Sequence, residues 1–276
     1  MEDVFVGSEA VSRGALTRGQ LRWHYRPIHP DVYISRASIP SLAQRTAAAW
    51  LWSKRRGVVA GLAASALHGA RVSDDADVEL IWRCGRPPPG IVARKERIDP
   101  DEITEIGGLP VTTPSRTVLD LARHAGRDTA VVNMDALAHA AALTRSDVEP
   151  LIDRYRGGRG VDQARAALEL MDGGSASAVQ TMVRLKLMAA GLPAPRTQIP
   201  VTDGTALAHV ALGYEAPKVG VVFGDEAPDV VLRSGWTMVS TTHAFNIGGL
   251  ICLVRAAVIE RGYPLWRLRA EQHATG

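Results

Sequence analysis

Apolar and polar positions follow a helical period in some stretches and a strand period in others. "ALTRGQLR" places Thr17 as an N-cap ahead of a short helix through Leu21. "YRPIHPDVYIS" follows, with Val32 and Ile34 alternating about Tyr33, and predicts a turn and a β-hairpin arm. A longer helix is expected over roughly 38–56. It carries Leu42, Ala49 and Trp50 and ends on Lys54, Arg55 and Arg56, with Gly57 as its cap. "VVAGLAASALHGA" reads as a strand leading into a small-residue helix.

The middle of the chain continues in the same alternation. "DVELIW" and "IVARKE" are strands on either side of the turn "RPPPG". "GLPVTTPSRTVLDLARH" is a strand into a helix, with Pro114 at the first helical position, where its missing N–H costs nothing. Val118, Leu119, Leu121 and Ala122 form its apolar stripe. Further helices are expected at about 128–142, 146–156 and 161–171. "MDGGSAS" then marks a boundary.

Beyond it, "SAVQTMVRLKLMAAGLP" is an amphipathic helix presenting Met182, Leu185, Met188 and Ala189, with Gly191 as C-cap. "TQIPVTDGTALAHVALGY" is two strands about an Asp203-Gly204 turn, and "KVGVVF" is a third. "PDVVLRSG" makes two helical turns, "WTMVSTT" is a fourth strand, and a last helix covers about 245–261. The order is α-β-β-β-α-β-α. The division expected is 1–72, 73–171 and 172–276, in an α/β chain that is α+β overall.

Charge sharpens this outline. Residues 1–60 hold nine Lys/Arg against four Asp/Glu, residues 61–170 fourteen against seventeen, and residues 171–276 nine against eight. The net +3 therefore originates in the N-terminal fifth, where localised basicity suits a phosphate-facing surface. Arg18, Gln20 and Arg22, on or just after the short helix, and Arg26, at the start of the arm, are the candidate contacts. Cys84 and Cys252 form no CxxC pair, which argues against a disulfide framework or a cysteine zinc site. No apolar run reaches membrane-spanning length, and the N-terminal stretch lacks secretory character, so a cytoplasmic protein is expected.

The remaining acids and histidines give weak signals. Asp75 and Asp77 precede a strand without the Gly-Ser turn that a nucleotidyltransferase needs. His24 and His29 flank the basic arm as surface residues, and His68 and His139 lie in Ala- and Leu-rich helices as structural ones. "YRGGRG" lacks the Lys-Ser/Thr of a phosphate-binding loop.

"AGLPAPRTQIPV", "ALGYEAPKVGVVF" and "GWTMVSTT" resemble the C-terminal domain of a large actinobacterial family. That domain is similar to very-short-patch-repair endonucleases of the PD-(D/E)XK superfamily. "GALTRGQLR…YRPIHPDVYIS" resembles the winged-helix domain of AbiEi-type antitoxins, and "VTTPSRTVLDLAR" is similar to a segment common to both groups. The nuclease resemblance implies Mg²⁺ held by a helical glutamate and strand carboxylates. Carried onto this chain, those positions fall on Gln180, Ala211, Val222 and Gly224, none of which is a carboxylate.

The expectation is a degenerate nuclease fold without catalytic or metal residues, in a protein that binds duplex DNA or acts as an antitoxin-like repressor beside a cognate toxin. Val222 is expected to be buried. The resemblance also implies a recognition helix between "LTRGQL" and the arm, where only "RWHYRPIHP" stands. Two alternatives stay open. One is an active Mg²⁺-dependent nuclease with a site migrated to Asp203, Glu215, Asp225 and Glu226. The other is a protein-interaction domain that binds no nucleic acid.

Overall fold

The computed structural model describes residues 4–83, 86–224, 226–242 and 246–264. The chain divides into two compact units, Met1–Leu170 and Met171–Gly276. Helices and mixed sheets share the chain, in an α+β arrangement.

The first unit opens with a strand that the sequence pattern does not announce, β1 (Val4–Val6), running directly into α1 (Gly7–Ser12). After a loop comes α2 (Arg18–His24), then β2 (Tyr25–His29) and β3 (Val32–Ser35). Thr17 caps α2 reciprocally: its hydroxyl accepts the Gln20 N–H at 3.1 Å, and Gln20 Oε1 accepts the Thr17 N–H at 2.8 Å. The three strands form one antiparallel sheet in the order β1-β3-β2. Its inner face, Val4, Val32 and Ile34, packs on Ala48 of α3 (Leu42–Trp52). Ser41, not a residue near 38, caps α3. At its far end Lys54 and Arg55 turn the chain in the left-handed region at φ 57° and 60°, and the Gly57 N–H reaches back to Ser53 Oγ at 2.9 Å.

A five-stranded sheet follows, in the order β6-β5-β4-β8-β7. Its strands are β4 (Val58–Ala60), β5 (Val78–Ile81), β6 (Ile91–Arg94), β7 (Ile103–Ile106) and β8 (Leu109–Thr112). The edge strand β7 escapes the sequence reading because only its two ends are apolar. Leu42, Ala49, Val59, Ala63 and Leu80 join in one core between α3, α4 (Gly61–Leu67) and this sheet. The unit is completed by α5 (Pro114–His124), α6 (Arg127–Ala141), α7 (Glu149–Arg154) and α8 (Val161–Leu168).

Helix α5 is buried on more than its apolar stripe. Arg116 is 0% exposed, yet it carries a permanent charge. Its Nε donates to Asp120 Oδ1 at 3.0 Å, its Nη1 to Glu102 and to the Tyr155 hydroxyl at 2.9 Å, and its Nη2 lies 3.6 Å from Glu96. The Arg116 Cζ also lies over the Tyr155 ring, 5.0 Å from its centre. Arg154 and Arg123 close the ring from outside, on Glu102 at 2.9 Å and on Glu96 at 2.8 Å. Burial pushes the Tyr155 phenol up to about 12 and Asp120 up to about 6. Burial also acts to raise Glu96, but hydrogen bonds and charge from His124 and Arg123 outweigh it and hold the carboxyl at about 2.

The second unit holds α9 (Ala178–Ala189), β9 (Arg196–Thr202), β10 (Leu207–Tyr214), β11 (Val219–Val222), α10 (Asp229–Arg233), β12 (Thr237–Ser240) and α11 (Ile247–Glu260). This is the order read from the sequence. The sheet runs β12-β11-β10-β9, antiparallel except for the parallel β11–β12 pair. Gly191, at φ 84°, ends α9 as a left-handed cap. The core face of α9 is set by Val183 and Leu187, with Leu212, Tyr214, Val221, Leu250 and Val254. Of the stripe expected, Leu185 is buried, while Met182 and Met188 are only half-buried and Ala189 is exposed.

Two outcomes follow from the Arg116 cluster. Replacing Arg116 by Ala removes the buried cation between Glu102 and Asp120, leaving only Arg154 and Arg123 at the edge to balance them, and is expected to cost about 3–5 kcal/mol, read by urea denaturation. The pH dependence has a definite sign. Glu96 is lowered from its ordinary 4.5 to about 2, so its contribution is complete above 4.5 and is lost as pH falls towards 2. Asp120, raised from 3.8 to about 6, acts oppositely, its contribution fading as pH rises through 6. The Glu96→Gln change is therefore expected to flatten the loss of stability between pH 4.5 and 2 and, since the Glu96 charge helps to raise Asp120, to shrink the change between pH 4 and 6 without abolishing it.

Candidate nucleic-acid interface

Helices α1 and α2 are joined by the short loop 13–17, and β2 and β3 follow without a break. The sequence reading takes α2 as the first helix of such a pair. The structure makes it the second, and it runs on to His24. The hairpin after it is not a free arm. At its tip Asp31, at φ 61°, receives the Gly7 N–H on its carbonyl at 2.8 Å. Its carboxylate takes the Ser8 N–H at 2.9 Å and the Ser8 hydroxyl. The tip thus closes on the start of α1, where a carboxylate suits the free amides.

The four candidate contact residues separate in this frame. Arg18 and Arg22 are exposed on α2, with their side chains free of protein hydrogen bonds among the described residues. Gln20 is exposed too, but its amide oxygen is engaged in the Thr17 cap. Arg26 is half-buried and donates through Nη2 to the Ser38 carbonyl at 3.0 Å. Arg36 donates to the Arg22 carbonyl at 3.0 Å, strapping the chain after β3 to α2. His24 is exposed, as expected. His29 is not: it is 8% exposed beside Trp52, and burial pushes its imidazole below the ordinary range. Trp23, which charge counting passes over, is 76% exposed.

In the second unit the positions carried over from the nuclease resemblance hold no metal-binding set. Gln180 turns its amide oxygen back to accept the Ala176 N–H at 2.8 Å, acting with Ser177 as part of the α9 cap. Ala211 and Val222 lie on neighbouring strands, one residue beyond the Leu212–Val221 pair, and Gly224 is exposed after β11. Val222 corrects the expectation of burial. The pleat sends Val219 and Val221 into the core with α9 and α11 and turns Val222 to the opposite face. There it is half-buried in a surface groove with Glu226, Asp229, Leu232, Met238 and Ser240.

The acids considered for a migrated site are partly engaged already. Asp203 caps its own turn through the Thr205 and Ala206 N–H groups, each at 3.0 Å, and pairs with Arg233 at 2.7 Å. That guanidinium, with Thr205, holds its carboxyl well below the usual range. Glu215 pairs with Arg196 at 2.7 Å. Glu226 is exposed, and Asp225 lies outside the described residues. Among the described residues, acid groups close enough to share a cation occur in the first unit, as Glu96–Asp120–His124 and Asp99–Asp101–Glu102. Guanidinium groups already fill both: Arg123 sits 2.8 Å from Glu96, and Arg154 sits 2.8 Å from Asp101. In both sets a divalent ion would have to compete with arginine for the same carboxylate oxygens.

Residues 43–172 match the AbiEi antitoxin C-terminal domain family. The matched stretch takes in α3, the five-stranded sheet and α4 to α8, and contains the "VTTPSRTVLDLAR" motif with Arg116. Two uncharacterised proteins of Mycobacterium tuberculosis, from strains CDC 1551 and H37Rv, are each 27% identical to this chain over 165 residues. The similarity covers 60% of this chain and 61% of each relative, so it spans about three fifths of their length. No helix among the described residues is long and apolar enough to cross a membrane.

The placement of Val222 gives a sharp comparison. Val222→Glu adds a charge at a half-exposed site and is expected to cost less than about 1 kcal/mol. Val221→Glu, which buries a charge 2% exposed in the core, is expected to unfold the second unit. Thermal denaturation of the two variants checks this.

Proposed function

We propose that this chain is a DNA-binding regulatory protein of the antitoxin type, in which the second unit keeps a nuclease-like fold without the reaction. One observation carries the reading. Residues 10–73 hold ten Lys/Arg and a single acid, Asp31, and that acid is spent on the start of α1. The second helix of the N-terminal pair is left with Arg18 and Arg22 exposed and no counter-charge of its own. A duplex carries closely spaced phosphates, and cations so placed gain by releasing its condensed counterions. The family match over residues 43–172, which begins within this segment, supports the same role and implies a toxin as protein partner.

The nuclease-like reading of the second unit is supported by its α-β-β-β-α-β-α order and by the motifs quoted above, and its lack of chemistry by the donor sets. A hard divalent ion keeps its water unless anionic oxygens replace it. Alanine and valine cannot do so, and the Gln180 oxygen is already bound. Phosphodiester cleavage then lacks both its activated water and its charge clamp.

A second reading, that the second unit engages a protein partner, has one observation in its favour. An apolar groove of about 370 Å³ opens between α9 and α11, lined by Val179, Met182, Val183 and Ile247. Val179 is 59% and Ile247 41% exposed. A toxin docked there is compatible with DNA binding by the first unit.

A gel shift of the full chain on a mixed-sequence duplex, with and without Mg²⁺, tests the proposal. The expected result is a salt-sensitive shift with no cleavage. Arg18→Ala with Arg22→Ala is expected to weaken binding at least tenfold and to reduce the salt slope by about 2. Cleavage that requires Mg²⁺, or a shift that the double variant leaves unchanged, would overturn it.

A further inference from the structure

We propose that the face of α2 formed by Gly19 and Trp23 reads bases in the major groove, with the Trp23 ring lying on thymine methyl groups. The inference rests on the DNA-binding reading above and adds to it the surface that makes the intimate contact. On a helix each residue turns by about 100°. Leu21 leans against Gly7 and points inward, since a Cβ built at Gly7 would meet Leu21 Cδ2 at 3.1 Å. Gly19 and Trp23 then fall nearly opposite Leu21, on the outermost line of the helix. Arg18 and Arg22 flank that line on one side.

Neither residue on this line is explained by the fold. Trp23 is 76% exposed, leaving its ring in water. Gly19 sits inside a seven-residue helix, where glycine is a poor choice, and it lies outside the left-handed region. A Cβ added there would meet nothing closer than Thr17 Oγ1 at 3.8 Å. The protein therefore has room for a side chain and does not use it. A bare backbone beside an exposed indole suits close approach by another molecule. The flanking arginines, with no acid on the helix, select a polyanion as that molecule. In the major groove the thymine methyl is the apolar feature that a flat hydrocarbon surface can distinguish, while the arginines take phosphates and set the register.

The experiment uses the full chain and two duplexes of alternating A·T pairs with G·C ends, one containing thymine and the other uracil. They differ only in the methyl group. Fluorescence anisotropy is followed over a range of salt, and the melting temperature of each variant is recorded. Wild type is expected to bind the thymine duplex about three- to tenfold more tightly. Trp23→Ala should equalise the two affinities and keep the salt slope. Gly19→Ala should keep or raise the melting temperature, since alanine favours helix, and still weaken binding to both duplexes.

Three results overturn the inference and leave DNA binding standing. They are equal affinity of wild type for both duplexes, a thymine preference that survives Trp23→Ala, and Gly19→Ala binding as wild type does. If wild type binds neither duplex, the DNA-binding reading itself fails. If Trp23→Ala changes the mass of the chain in solution and not its DNA affinity, the face is a protein interface and the inference falls.

Discussion

A guanidinium with no exposed surface survives in a protein core only where carboxylates gather round it. Arg116 is that group here, with Nε and Nη1 hydrogen-bonded and Nη2 facing Glu96 at 3.6 Å without a hydrogen bond. It draws together the short turn before β7, helix α5 and the end of α7, because Glu102, Asp120 and Tyr155 come from those three places. The carboxylates could not remain buried without it, and it could not remain buried without them. Apolar residues of equal volume could fill this space at no loss of stability. What they could not do is fix the relative turn of α5 and α7, since only a planar fork with several donors demands each acceptor at one angle.

This cluster was hard to see in the sequence for a definite reason. Arg116, Asp120 and His124 recur at spacings of four along α5, with Arg123 three residues after Asp120, which is the pattern of a solvated helix face with i,i+4 pairs. Glu96, Glu102 and Tyr155 lie far away in the chain, and nothing local announces that they return to the same place. The helix itself was plain, from Pro114 and the Val118–Ala122 stripe. Its burial on the polar side was not. The same holds at α1: Gly7–Ser12 is short and marked only by Glu9, so reading α2 as the first helix followed from propensity alone.

The second unit was more legible because its elements carry strong end signals, such as the Asp203 turn and the Gly191 cap. There the difficulty was facing. Val219, Val221 and Val222 make an apolar run, and such a run cannot declare which of two adjacent valines points inward. Pairing decides it: Val221 stands across from Leu212, which belongs to the core with α9 and α11. On β10 the inward pattern also changes across Ala211, since Val210 packs with Val231 of α10 and Leu212 with the opposite core. Ala211 and Val222 thus stand where a sheet could project acids into a groove. An alanine and a half-buried valine stand at these two positions, so the acids of the groove beside Val222, Glu226 and Asp229, come from the segment after β11 and not from the strands.

Charge in the first unit is organised by subtraction as much as by placement. Ten cations between residues 10 and 73 would repel one another wherever they met, and several are drawn off into local bonds. Arg55 pairs with Glu9 at 2.7 Å, Arg26 and Arg36 bond backbone carbonyls, and Arg45 bonds the Ala76 carbonyl at 2.8 Å. The one acid of the stretch is turned towards α1, where it closes the hairpin tip rather than quenching a cation. Arg18 and Arg22 are left exposed on a helix whose inward side is fixed by Leu21. Their positive field is then permanent, because guanidinium does not titrate at any pH the protein meets. It is directed outward by the same contacts that hold α2 in place, so the fold of this segment and the exposure of its charge come from one set of interactions.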